Sequence, residues 1–156
     1  MPKILHIVLP FAAFFLAGEA SAALSVTGTL VKAGYYRAPD CEPTADPKVF
    51  NECVCEANIK KAVVSGASEE AMALINEHLA LLPEKLAVES CEGKSTAPPT
   101  DGLKVNLANA DYEVAYQTDK LLTVLVTYST YGAGAEHPLD GTEGFTFDIT
   151  TGRLLD

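Results

Sequence analysis

Along the chain, the spacing of apolar positions changes period twice, and each change predicts an element. From Leu24 to Val31, Leu24, Val26, Gly28 and Leu30 alternate with Ser25, Thr27, Thr29 and Val31, a period of two that predicts a half-buried strand. Pro39, Pro43 and Pro47 then break the pattern, so Gly34 to Pro47 reads as a loop pinned by Cys41. Val54, Ile59, Val63 and Val64, with Lys60 and Lys61 between them, predict a strand in the second half of Cys53 to Ser65. Met72, Ile75, Leu79, Leu82 and Leu86 follow at intervals of three and four, which places them in one stripe down a helix. Ser68 is its expected N-cap, and Glu69 and Glu70 suit the positive end of the helix dipole. Pro83 removes an intrahelical bond and is expected to kink or restart the helix, at about 3 kcal/mol if it lies in the interior. Cys91 and Gly93 mark its far end.

Glu92 to Gly102, with Pro98 and Pro99, reads as a surface connection. Period two then returns in Leu103–Leu107, Asp111–Gln117, Lys120–Tyr131 and Phe145–Ile149. Tyr112, Val114 and Tyr116 share one side of the second run, and Leu122, Val124, Val126 and Tyr128 line the third. Thr118-Asp119 is short enough for a tight hairpin, and Thr151-Gly152 makes a second turn before Arg153. A lone amphipathic helix must bury its stripe on a partner, and a sheet with one apolar face is what the chain offers. The expected fold class is α+β, an antiparallel sheet of about four to six strands packed against one main helix and stabilised by disulfides.

Residues 1–22 change the compartment. Lys3, an apolar run of about thirteen residues from Ile4 to Leu16, and Ala20-Ser21-Ala22 form the three parts of a signal peptide, with cleavage expected after Ala22. That run is shorter than the roughly twenty residues a spanning helix needs. The expected organisation is therefore a leader over 1–22 and a single α+β domain over 23–156, periplasmic or secreted, with no membrane span in the mature form. Four cysteines in an exported chain, Cys41, Cys53, Cys55 and Cys91, read as two disulfides. Three connectivities exist; direct pairing of Cys53 with Cys55 is strained, and Cys41–Cys53 with Cys55–Cys91 is favoured. Each closure stabilises by about 3 kcal/mol on the chain-entropy account. A structural zinc site is the rival, although the paired C-x2-C spacing is missing.

The formal charge is −10. Such a surface repels phosphate backbones and anionic head groups, which argues against nucleic acid and membrane partners and favours cationic ones. No segment carries a recognisable catalytic, cofactor or metal-binding signature, so no cofactor and no enzymatic activity are expected. His137, in a Gly-rich loop beside Glu136, Asp140 and Glu143, is the one candidate base or metal ligand. Its simpler role is a local hydrogen bond that holds the turn. His78 lies on the helix and reads as half-exposed, and Ser129 and Thr130 alternate on a strand rather than sitting on a nucleophile's turn.

With Tyr128, Tyr131, Gly134, Ala135, His137, Phe147, Asp148, Thr151 and Gly152 in view, the last forty-five or so residues resemble the extracytoplasmic domain of RsiV-type anti-sigma factors. The same domain type stands beside the catalytic domain of PdaC-type peptidoglycan deacetylases. That family's pattern is a strand ending in Tyr, a Gly-Gly-Ala-His loop, and a strand closing on Asp-x-x-Thr-Gly; Ile75-Asn76 is similar to its Ile-Asn helix start. The sequence departs from the pattern in three ways. Glu136 stands before His137, the chain ends at Leu155-Asp156 where family members continue into another helix, and no transmembrane or sigma-binding region is expected, which excludes an ordinary anti-sigma role. The resemblance implies a βαβ-type module that binds something outside the cytoplasm, lysozyme in RsiV-like proteins. The expected function is thus an exported, non-catalytic binding module. Its contact surface would be the loop Tyr131 to Gly141, with Tyr131, Gly134, Glu136, His137 and Asp140. Its partner would be a cationic protein such as a lysozyme-like enzyme. Peptidoglycan is the alternative, and a small His137-dependent hydrolase the third reading.

Overall fold

The computed structural model describes residues 23–46, 48–99, 103–132 and 135–155; the expected leader, Gly134 and Asp156 lie outside them. The elements are β1 (Ser25–Arg37), β2 (Phe50–Ser65), α1 (Glu69–Glu89), β3 (Ser95–Ala97), β4 (Lys104–Gln117), β5 (Leu121–Tyr131), β6 (Leu139–Asp148) and β7 (Leu154–Leu155). They form one seven-stranded sheet in the order β3-β1-β2-β4-β5-β6-β7. The α+β class holds, but two parts of the expectation are corrected. Seven strands replace four to six, because the chain around Ser95 and around Leu154 adds short edge strands at each end. The sheet is also mixed: β2 and β4 run parallel, since α1 carries the chain back across the sheet between them, while the other neighbours are antiparallel.

Several predicted loops are strand. β1 continues through Tyr35 and Tyr36 to Arg37, and β2 starts at Phe50 rather than midway through the cysteine segment. The runs 103–107 and 111–117 are one strand, and β6 begins at Leu139, which shortens the expected 131–141 loop. Propensity failed at these points because pairing decides strand length, and Gly34 or Ala110 is tolerated wherever a neighbour supplies the ladder.

Ser68 caps α1, its hydroxyl accepting from Ala71 N–H at 3.2 Å. The helix runs unbroken through Pro83. Its fully buried line is Ala71, Ile75, Leu79 and Pro83, while Met72, Leu82 and Leu86 are half-buried. Pro83 thus sits on the packed side, where its ring fills core space. One core cluster joins Ile75 and Leu79 to Ala62, Val64, Leu122, Val124, Val126 and Phe147. A second surrounds Cys55, Ala57, Ile59, Cys91, Ala108 and Ala110. Buried positions on β2 run Cys55, Ala57, Ile59 and then change phase to Ala62 and Val64, beside a register shift between Leu30 and Lys32 on β1. Such irregularities sharpen local twist, which lets one strand feed both clusters.

Both favoured disulfides are present, Cys41–Cys53 and Cys55–Cys91, which removes the zinc reading. The first pins the proline-rich segment, and Asn51, 5% exposed, holds it further: its Oδ1 accepts from Thr44 N–H at 2.8 Å and its Nδ2 donates to Thr44 O at 3.2 Å. The second ties β2 to the end of α1. Among the described residues, no helix is long and apolar enough to cross a membrane. Disulfides of this kind are consistent with an oxidising compartment outside the cytoplasm.

Candidate functional site

The residues that carried the family resemblance divide into two groups with different local physics. The first is satisfied from within. Asp148 closes the turn after β6: its Oδ1 accepts from Thr150 N–H at 2.8 Å, from the Thr150 hydroxyl, and from Thr151 N–H at 3.3 Å. These donors, the Thr150 hydroxyl foremost, hold its carboxyl below the usual carboxylate range. Gly152 has φ of +72°, and a Cβ there would meet the Ala71 backbone at 2.7 Å. Only glycine both adopts that conformation without strain and lets the turn lie on the first turn of α1. Asn76 plays a similar part. Its Oδ1 accepts from Val64 N–H at 2.7 Å and its Nδ2 donates to Val64 O at 3.0 Å, completing a strand that β4 no longer flanks. Asp148, Thr151, Gly152 and the Ile75-Asn76 pair are therefore structural in this chain.

The second group lies around the connection from β5 to β6. Residues 135–140 are all exposed. Among the described residues, Glu136 and Asp140 take part in no ion pair. His137 Nδ1 lies 3.1 Å from the carbonyl of Pro138, the local turn bond expected of it, and among the described residues no carboxylate bonds to the ring. Tyr131 is half-buried at the end of β5, its ring 5.6 Å from that of Phe50. Gly134 falls outside the described residues. Glu136, His137 and Asp140 thus share one exposed lip, with Tyr131 at its base. Among the described residues, no group of three or more His, Cys, Asp or Glu side chains is placed to hold a metal ion. His78 is far from this lip in role: its Nδ1 is 2.9 Å from Leu74 O, and its ring meets Phe147 edge-on at 6.0 Å.

Sequence reasoning missed a further feature beside the lip. Alternation places Ala57, Ile59, Ala108, Ala110 and Val126 on the helix side, so Asn58, Asn109 and Ser129 point to the other, uncovered side. Register aligns them: Asn58 pairs with Asn109, Asn109 with Ser129, and Ser129 with Asp140. The adjacent row runs from Asp111 through Thr127 to Thr142. These residues line an open cleft of about 520 Å³. At its β2 end Lys60 Nζ lies 2.8 Å from Asp111 Oδ2. That hydrogen bond lowers the Asp111 carboxyl from its ordinary value, with the Tyr112 N–H assisting, and raises the Lys60 ammonium. The signal was present in the sequence as Asn-Ala-Asp at 109–111 and Thr-Tyr-Ser at 127–129, but only the strand register shows that they meet.

Compared with protein-family models the sequence matches none, and no curated protein matches it. Among solved structures the chain is similar to a DUF3298 family protein from Pseudomonas aeruginosa PAO1, with 13% identity, a TM-score of 0.46, and coverage of 86% of this chain and 56% of that one. It is likewise similar to a DUF3298 family member from Bacteroides fragilis, with 13% identity, a TM-score of 0.47, and coverage of 86% and 60%. The chain spans a little over half the length of these two structures.

Proposed function

We propose that this protein is an exported, non-catalytic binding module of the RsiV and PdaC domain type. In this reading it holds a cationic protein such as a lysozyme-like enzyme against the lip from Tyr131 to Gly141. The observation that carries this is the run of exposed residues 135–140, in which Glu136 and Asp140 keep carboxylates without a counter-ion among the described residues. Unpaired acids on a chain of formal charge −10 steer a basic partner and reward it on contact. Half-buried Tyr131 adds an amphipathic ring at the base of the lip, the residue type that anchors protein interfaces. His137 serves the turn rather than proton transfer.

The test is to mix the purified protein with a panel of lysozymes and measure complex formation and residual wall lysis. Binding is expected to weaken with salt, and Glu136→Gln with Asp140→Asn is expected to lower affinity about tenfold, roughly the loss of one charged contact. No complex and no inhibition across the panel retires the reading.

A further inference from the structure

We infer that the uncovered side of the sheet carries a second binding site, a cleft for an uncharged oligosaccharide bearing acetamido groups. The inference goes beyond the lip reading and uses a different surface, with Asp140 at the border of the two. It starts from the row Asn58, Asn109, Ser129 and Asp140, which crosses four neighbouring strands in register. All but half-buried Ser129 are exposed, and none of the four side chains has a protein partner among the described residues. Thr127 and Thr142 in the parallel row are likewise unpartnered and exposed.

The chemistry of the row selects its ligand. Each Asn offers both donors and an acceptor, the hydroxyls offer either, and the Asp140 carboxylate only accepts. A ligand that matches must present donors and acceptors alternately at short intervals. Sugar hydroxyls do so, and an acetamido group presents an N–H and a C=O that complement a carboxamide. Anionic ligands are disfavoured: the lining holds no Lys or Arg, Lys60 at its border is already paired with Asp111 at 2.8 Å, and Asp140 has no counter-ion among the described residues. A protein partner is disfavoured too, because the rows hold no Trp or Arg anchor and Tyr128, which lines the cleft, is half-buried against the core.

Geometry points the same way. Neighbouring strands lie about 4.8 Å apart, so the row is a ladder roughly 14 Å long whose rungs repeat at close to the length of one pyranose unit. Asn58, Asn109 and Ser129 stand on backbone paired on both sides, and short side chains lose little entropy when they bind. The cleft of about 520 Å³ is open rather than enclosed, as a chain-like ligand requires. Tyr131 lies two residues beyond Ser129 on the same side of β5, beside the row rather than in it.

The experiment is a titration of the isotopically labelled protein with chitotetraose, and with cellotetraose as the equivalent lacking acetamido groups, followed by backbone amide shifts. Chitotetraose is expected to move amides around residues 58, 109, 129 and 140 and to bind more tightly than cellotetraose. The double variant Asn58→Ala, Asn109→Ala is expected to bind about tenfold more weakly, and Glu77→Gln, on the exposed side of α1, to bind as the parent. Thermal melts of each variant show that it is folded, and Ser129→Ala repeats the test should the double variant melt early. The inference is overturned by no shifts in this row at the highest soluble sugar concentration, by equal affinity for the two sugars, or by undiminished binding in folded cleft variants. The lip reading is scored separately, through lysozyme complexes and Glu136, so either can fail alone.

Discussion

One side of the sheet in this protein is covered by α1 and the other is not, and the two carry opposite chemistry along the same strands. On β4, Ala108 and Ala110 lie in the core while the alternate residues Asn109 and Asp111 face out. On β5, Leu122, Val124 and Val126 are buried while Thr127 and Ser129 line the cleft. On the covered side apolar groups pack, Asn76 answers the Val64 backbone, and Gly152 lets a turn seat on the helix. On the uncovered side Asn58, Asn109, Ser129 and Asp140 keep polar groups without a partner among the described residues. A protein that needed this side only for solubility would be served by long charged residues; short amides and hydroxyls in register give water little advantage over a ligand. The contrast teaches that binding potential here lies in what the fold leaves unsatisfied.

That contrast can be broken or sharpened by substitution. The largest effect is expected from Phe147→Ala on the covered side, where a fully buried ring joins β6 to the main cluster; a loss of about 3–5 kcal/mol should appear in the urea midpoint. Asn76→Leu comes next. It leaves the Val64 N–H and C=O without their partner, and a loss of about 2–3 kcal/mol is expected in the same measurement. On the uncovered side, Thr127→Ala and Ser129→Ala should change stability by less than about 0.5 kcal/mol. A loss comparable to that of Asn76→Leu would show that the row is structural and remove the contrast. The smallest effect concerns pH. Asp111 has its carboxyl lowered by Lys60, so the pair's stabilisation is present above the ordinary carboxylate pKa and fades as pH falls through the lower folded value. Both side chains are substantially exposed, so salt should shrink the effect. Comparing acid unfolding of the parent with Lys60→Met reads it, the variant being expected to lack that limb.

Much of the covered side was legible in the chain. The Ser68 cap, the stripe through Ile75 and Leu79 and the alternation along β5 follow from period and capping chemistry, which are local; for the cysteines, loop strain excluded only Cys53–Cys55, and the structure has the favoured one of the remaining pairings. The edge strands β3 and β7 were not legible, because two or three residues carry no period and exist only through their neighbours. Nor was the continuity of α1 through Pro83, whose ring is held by packing that propensity does not include. At the site, Glu136, His137 and Asp140 were found because they cluster in sequence. Asn58 and Asn109 were missed because fifty-one positions separate them and a parallel register joins them.

The sequence by itself determined the helix, the alternating strands, the acidic balance and the expectation of two disulfides, though not their pairing, since each depends on residues near one another or on composition alone. Only the tertiary structure decided the parallel step between β2 and β4, the number of strands and the row from Asn58 to Asp140. The reason is physical: pairing partners are chosen by burial of one side across long loops, and whatever lands on the opposite side is aligned as a consequence.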